Sequence, residues 1–128
     1  MKMKKLILIL LFSTVMFSSS SYAGWTQVSE SVDGDVFYVD FERMRKHDGY
    51  VYWWELINNL KPNEWGSLST KIYHQGDCKL FRFKHLSYRF HKEPMGGGTG
   101  VVEESGKEWR YPPPQSVDEF ILKQVCNR

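Results

Sequence analysis

The segment from Lys79 to Lys92 carries the side chains best suited to hold a ligand, because cations and rings alternate along it. It reads KLFRFKHLSYRFHK. Guanidinium and ammonium groups beside rings suit an acidic protein patch, a sulfated or phosphorylated glycan, or single-stranded nucleic acid. The alternative is a pair of strands with a solvated charged face, which also protects sheet edges from aggregation. We expect the ligand contacts to include the four cations Arg82, Lys84, Arg89 and Lys92.

A second candidate contact surface is the aromatic cluster formed by Tyr50, Tyr52, Trp53, Trp54 and Trp65. Tyrosine and tryptophan dominate binding hot spots. In the strand predicted here, one alternate row must be core beneath a helix, and the other is either core or exposed. We expect Trp53 to contact a ligand. An exposed row also favours self-association or partner binding.

The two cysteines, Cys78 and Cys126, are the third feature with chemistry. In an oxidising compartment, two cysteines most simply form one disulfide. The chain-entropy model gives about 4 kcal/mol for closing a loop of this length. The alternatives are a metal-binding pair or a catalytic thiol, but no CxxC motif and no further ligand accompany the two residues.

The other polar residues show no signature of catalysis or of a metal site. The histidines have neither an HExxH motif nor close ligand spacing, and the glycine cluster at 96–100 lacks the rest of a phosphate loop. No nucleophile elbow or base-flanked cysteine is present, and Glu103 and Glu104 fall in a predicted polar linker. We therefore expect no enzyme, no catalytic residue, no metal and no cofactor.

The predicted elements indicate an α+β fold. It would consist of a mainly antiparallel sheet of about six strands with one C-terminal helix packed on it. A hairpin turn is predicted at 33–35, with strands on either side. Further strand segments are predicted at 50–57, 67–74, 78–83 and 86–90. Alternation changes phase near Lys84 and His85, which indicates one extra residue, at a β-bulge or a corner.

The helix is predicted to begin at a capping box formed by Ser116 and Glu119. It follows three consecutive prolines at 112–114. Its apolar residues fall on one stripe, which predicts packing against the sheet. The stripe consists of Val117, Phe120, Ile121 and Val125.

Residues 1–23 are predicted to be a secretory signal peptide, and residues 24–128 a single domain. A basic start precedes an apolar run from Leu6 to Phe17, and small residues at Ser21 and Ala23 mark the cleavage site. The apolar run is too short for an ordinary spanning helix, and we expect none in the mature chain. No lipobox cysteine occupies the cleavage site. The sequence therefore predicts an exported protein of the periplasm, the cell surface or the medium.

Removal of the leader changes the charge balance. The full chain has a net charge of +2, but the mature part has 14 basic and 15 acidic side chains, a net charge of −1. A chain so close to neutral does not attract polyanions as a whole. We therefore expect no nucleic-acid partner.

The order of these segments resembles the surface-adhesin E (protein E) family of Gram-negative secreted proteins. The resemblance covers about Trp25 to Cys126. It implies a six-stranded antiparallel sheet, a C-terminal helix linked to that sheet by a disulfide, and an extracytoplasmic location. For the members that named the family, it implies adhesion to host proteins. The segments that carry it are Phe37–Asp40, Tyr50–Trp54, Ser69–Asp77 with Cys78, Gly96–Gly98 and the last helix with Cys126.

The residues and the resemblance together predict a secreted, non-enzymatic binding module of a Gram-negative envelope. It would engage host or envelope proteins or glycans through an aromatic and basic sheet surface. The alternative is a periplasmic structural or accessory protein that forms a homodimer or docks on an envelope complex.

Overall fold

The computed structural model describes residues 21–22, 24–104 and 106–128, so the predicted signal peptide lies outside the described residues except for Ser21 and Tyr22. The described chain forms one antiparallel sheet and a C-terminal helix, α1 (Val117–Cys126), which confirms the α+β fold. The strands are β1 (Ser21–Tyr22), β2 (Trp25–Glu30), β3 (Val36–Val39), β4 (Arg45–His47), β5 (Tyr50–Asn58), β6 (Ser69–Asp77), β7 (Arg82–His91) and β8 (Gly100–Glu104).

The strand order is β1-β2-β3-β5-β6-β7-β8. The short strand β4 is outside this order and pairs with β5. Six of these strands have four or more residues, which agrees with the expected number. Two predictions about the strands were wrong. Residues 78–81 form a turn between β6 and β7, and Glu103 and Glu104 lie on the edge strand β8 and not in a linker.

A β-bulge in β7 determines which side chains face the helix. Tyr73 pairs with Ser87 and His74 with His85, so Leu86 is the additional residue. The phase change predicted near Lys84 and His85 is thereby confirmed. Because one extra residue reverses the alternation, Arg89 lies on the same face as Lys84, although their positions differ by an odd number.

The capping box forms as predicted and fixes the start of α1. The Glu119 amide donates to Ser116 Oγ at 3.1 Å, and Glu119 Oε1 accepts from the Gln115 amide at 3.2 Å. The helix buries Ile121, Leu122 and Val125. Phe120 is 44% exposed, so Leu122 and not Phe120 completes the buried stripe.

The core lies between α1 and one face of the sheet. The helical residues pack there on buried side chains from β3, β5 and β7. Removing each such aliphatic or aromatic side chain from water contributes about 1.5–3 kcal/mol. The sheet residues of this core are Val39, Val51, Trp53 and Phe83.

The disulfide Cys78–Cys126 is present, with Cα atoms 5.7 Å apart. It ties the turn after β6 to the last residue of α1, as the two cysteines and the resemblance predicted. Within the described part of the chain, no helix is long and apolar enough to cross a membrane.

Candidate functional site

The sheet has two unlike faces: a covered face under α1, and an open face on the other side of the strands. Trp53 belongs to the covered face, where 1% of its surface is exposed. Its ring stacks on that of His74, with centroids 4.7 Å apart and planes inclined by 2°. This burial overturns the expectation that Trp53 contacts a ligand. The side chains that alternate with it, Tyr52 and Trp54, lie on the open face and are partly exposed.

Three of the four predicted cations share the open face, and the fourth does not. Arg82 and Lys84 flank the buried Phe83, so their side chains point away from the core, and the bulge places Arg89 with them. Lys92 lies on the side of the covered face. Its Nζ donates to the Trp65 carbonyl at 2.8 Å, beside a cavity of about 280 Å³ that Trp65 and Lys92 line.

Two arginines of the open face are positioned by the central rings. The Arg45 guanidinium lies 5.9 Å from the centroid of the Tyr52 ring and donates to Tyr73 Oη at 3.0 Å. The Arg89 guanidinium lies 5.7 Å from the centroid of the Trp54 ring. A cation within about 6 Å of a ring centroid is attracted by the ring quadrupole.

The rings themselves form a continuous row across β5 and β6. Trp54 and Tyr73 have centroids 4.8 Å apart, and Tyr52 and Tyr73 have centroids 6.2 Å apart. Such offset and tilted pairs add about 0.5–1.5 kcal/mol beyond burial. The contacts within the row therefore fix the positions of the rings against which Arg45 and Arg89 lie.

Trp109 extends this arrangement from a segment distant in sequence. It lies under two cations, with the Arg82 guanidinium 4.2 Å and the Lys84 ammonium 4.3 Å from its ring centroid. The neighbouring Arg110 pairs with Phe83 through two backbone hydrogen bonds of 2.7 and 2.9 Å. This bridge brings the indole to β7.

Most cations of the open face have no carboxylate partner. Arg82 does have one, since its Nε donates to Asp77 Oδ2 at 3.0 Å. Burial alone would raise the pKa of Asp77, but hydrogen bonds from Leu80 and Arg82 lower it. Among the described residues, no carboxylate oxygen is recorded within 4.0 Å of the charged nitrogens of Arg45, Lys71, Lys84 or Arg89.

Lys71 and Arg89 are directly opposite each other on β6 and β7. Like charges in such a pair destabilise a sheet. Lys71 also lies beneath the glycine-rich loop, where a Cβ at Gly96 would clash with Lys71 Cε. The two cations border a depression of about 210 Å³, whose lining consists of Trp25, Asp40, Arg43, Trp54, Lys71 and Arg89.

The sequence did not predict four residues of the open face: Arg45, Lys71, Tyr73 and Trp109. Lys71 and Tyr73 alternate with the buried Ile72 and could have been assigned to the open face once Trp53 was placed in the core. Trp109 had no local signal, because only the bridge between Arg110 and Phe83 positions it.

The covered face holds titratable groups that are closed to solvent. His74 Nε2 lies 3.7 Å from Glu55 Oε1, with 2% and 3% of the two side chains exposed. Burial, with a smaller contribution from Asp118, raises the pKa of Glu55 to about 8. Burial, with a smaller contribution from His85, lowers the pKa of His74 well below its ordinary value. Within the described part of the chain, no group of three or more His, Cys, Asp or Glu residues could hold a metal ion.

Comparisons with known proteins agree with this architecture. Solved structures of Haemophilus influenzae protein E resemble the chain at 15% identity, with TM-scores of 0.63 for crystal form II and 0.62 for a second structure. Both comparisons cover 86% of this chain, and they cover 92% and 89% of the protein E chains. Protein E from non-typeable Haemophilus influenzae gives a TM-score of 0.59 over 86% of this chain and 77% of its own.

At this identity, the structural likeness establishes the fold alone. No curated protein matches the chain. The family model described as surface-adhesin protein E matches residues 25–127, nearly the whole of the predicted mature domain. The chain therefore belongs to the surface-adhesin protein E family.

Proposed function

We propose that the chain is an exported, non-enzymatic, adhesin-like binding module that engages host or envelope proteins or glycans through the open face. The observation that carries the proposal is the set of cations held against rings without carboxylate partners. Fixed cations attract and orient an anionic partner, and rings beside them supply contact area at low entropic cost. Membership of an adhesin family supports the same role.

Export is supported by two features of the chain. Residues 1–23 have the composition of a signal peptide. The disulfide between Cys78 and Cys126 is typical of proteins that fold in an oxidising compartment. We place the mature domain in the periplasm, at the cell surface or in the medium.

A non-enzymatic role is supported by the position of the groups that could perform acid–base chemistry. Glu55 and His74 are adjacent, but at most 3% of either side chain is exposed. A substrate cannot reach them in this conformation, because α1 covers them. Their shifted pKa values follow from burial and do not require a catalytic role.

A second candidate function is a periplasmic accessory protein that forms a homodimer or docks on an envelope complex. The edge strand β8 favours it, because Val101 is 61% and Val102 is 53% exposed there. An edge strand with exposed apolar residues can pair with another chain. Light scattering at tens of micromolar tests this candidate: a dimer that Val102→Lys dissociates supports it, and a strict monomer contradicts it.

Attachment of purified residues 24–128 to cell monolayers and to extracellular-matrix preparations tests the first proposal. The variant Lys84→Glu/Arg89→Glu should attach several-fold more weakly, with a larger loss at low salt than at high salt. The matched control is Lys61→Glu/Lys92→Glu, which changes the net charge equally but alters an exposed loop residue and a cation on the other side of the sheet. Equal attachment of the wild type and the two variants would show that the cations of the open face contact solvent and do not contribute to binding.

A further inference from the structure

We infer that the ligand of the open face is a sulfated glycan chain, whose sulfate groups bind the cations Arg45, Lys71, Lys84 and Arg89. This inference rests on the proposed function and names its ligand class. It depends on three features of the open face: the spacing of its cations, the chemistry of its exposed side chains, and the occupancy of its ring faces.

The cations form two groups at opposite ends of the aromatic row. Lys71 and Arg89 lie at one end, opposite each other on adjacent strands. Arg45 and Lys84 lie near the other end, where they pair with Tyr52 and Gln75. The four-residue step from Lys71 to Gln75 along β6 corresponds to roughly 14 Å. A ligand that satisfies both groups must therefore carry separated anionic charges, as a chain does and a single small anion does not.

The cost of placing Lys71 opposite Arg89 points to an anion at that end. Two like charges in direct opposition destabilise a sheet. Among the described residues, the carboxylate that lines the same depression is that of Asp40, which pairs with Arg43 and not with Lys71 or Arg89. A sulfate group between them would remove this repulsion. Arg89 can donate two parallel hydrogen bonds to an oxyanion, whereas Lys71 contributes a point charge.

The exposed side chains of this face favour a glycan over an acidic protein. Protein interfaces share tyrosine, tryptophan and arginine with this face, but their centres are more apolar and poor in lysine, whereas Lys71 and Lys84 lie close to the rings here. Here the centre is occupied by Tyr52, Trp54 and Tyr73, rings that carry hydroxyl or indole N–H groups able to bond sugar hydroxyls. The aliphatic residue of the same row in β5, Leu56, has no exposed surface, and the exposed aliphatic side chain of Val102 lies at the edge of this face, opposite Arg89.

The ring faces favour a glycan over single-stranded nucleic acid. Nucleobases bind such proteins by stacking on free aromatic faces. On this surface the protein's own cations lie over the rings: Arg45 over Tyr52, Arg89 over Trp54, and Arg82 with Lys84 over Trp109. A sulfated chain can bind the solvent-facing side of those cations without access to the ring faces.

Titration calorimetry on residues 24–128 tests the inference with four probes: a heparin-derived octasaccharide, the same octasaccharide after chemical desulfation, an oligoglutamate and a thymidine oligonucleotide of matched charge. We expect the sulfated octasaccharide to bind roughly tenfold or more tightly than each of the others. Equal or tighter binding of oligoglutamate would assign the face to acidic proteins, and that of the oligonucleotide to nucleic acid. Either result, or no binding of the sulfated probe, would overturn the inference.

The variant Lys71→Glu/Arg89→Glu locates the site. It should lose most of the affinity for the sulfated octasaccharide, whereas Lys61→Glu/Lys92→Glu should keep it. A circular-dichroism melt checks that each variant is folded. The ranking of the four probes uses the unaltered protein, so it stands even if a variant fails to fold.

A final comparison separates this inference from the proposed function. The attachment assay is repeated after lyase digestion of sulfated glycans on the target surface. Loss of attachment supports both proposals. Undiminished attachment that still depends on Lys84 and Arg89 would overturn the glycan assignment and leave the binding function in place.

Discussion

The imidazole of His74 and the carboxyl group of Glu55 lie 3.7 Å apart beneath α1, out of contact with solvent. Burial disfavours the charged form of both residues, so it raises the pKa of Glu55 and lowers that of His74. The native protein therefore holds this pair in its neutral form. An ion pair would leave two charges in the core without full hydrogen bonding.

This pair predicts how stability depends on pH. Between pH 4.5 and about 8, native Glu55 keeps a proton that the unfolded chain has released, so its contribution falls as pH rises. Below pH 6.5 the unfolded chain protonates His74 and the native state does not, so its contribution falls as pH drops. The two slopes oppose each other below pH 6.5. From there to about pH 8, stability should fall by up to about 1.4 kcal/mol per pH unit.

The isosteric change Glu55→Gln should remove most of this decline. Urea unfolding at pH 5, 6.5 and 8 measures it, and Glu30→Gln is the exposed control. Burial also raises the pKa of Asp118, which adds a decline in stability with rising pH at the acidic end, just above the ordinary range of that carboxyl group. A decline of the same size in wild type and in Glu55→Gln would show that Glu55 is not its source.

Any residue larger than glycine at position 76 of β6 should lower the free energy of unfolding. An alanine Cβ there would lie 2.7 Å from Trp53 Cζ3 and 3.1 Å from Leu122 Cδ1, so the helix could not keep its present distance from the sheet. Gly76→Ala should cost about 1–3 kcal/mol of unfolding free energy. The control is Gly106→Ala, where nothing lies within 4 Å, and its cost should stay within about 0.5 kcal/mol. Equal urea midpoints for the two variants would contradict the close packing.

The disulfide should carry a large share of the stability. The chain-entropy model assigns about 4 kcal/mol to the 48-residue separation of Cys78 and Cys126. Cys78 is exposed, so a reductant can reach the bond in the native state. Reduction should lower the melting temperature by well over ten degrees (~4–8 °C per kcal/mol for a domain of this size). The amides of α1 should exchange faster than those of β6. Unchanged melting under reductant would show that packing alone fixes the helix.

Much of the fold could be predicted because its signals are local. The capping box at Ser116 and the phase change near Lys84 each depend on a few neighbouring residues, and both appear in the structure. The turn at 78–81 was wrongly predicted to be a strand, because Phe81 and Phe83 have the alternate spacing that is typical of strands. Phe81 instead has a positive φ of 52° and ends the turn.

The candidate site was harder to predict because it depends on which face the helix covers. Alternation separates Trp53 from Trp54 but does not say which row is buried. Long-range packing by Leu122 and Val125 decides this, and it places Trp53 in the core. Lys92 likewise belongs to a basic segment in sequence but lies on the other side of the sheet from Arg89.

Trp109 should matter for binding although it carries no charge. Its ring lies 4.2 Å from the Arg82 guanidinium and 4.3 Å from the Lys84 ammonium, and it limits the conformations of both long side chains. Without the ring, the two cations would lose that order and would have to regain it on binding, at about 0.5–1.5 kcal/mol for each side chain.

Trp109→Ala should therefore weaken binding of the sulfated octasaccharide several-fold. The number of cations is unchanged, so the slope of log affinity against log salt should stay that of wild type. By contrast, Lys84→Gln should reduce both the affinity and the slope. Trp65→Ala is the matched control, since Trp65 is 67% exposed and lies on the side of the sheet with Lys92. If Trp109→Ala binds as tightly as wild type, the rings do not order the cations, and the charges alone define the site.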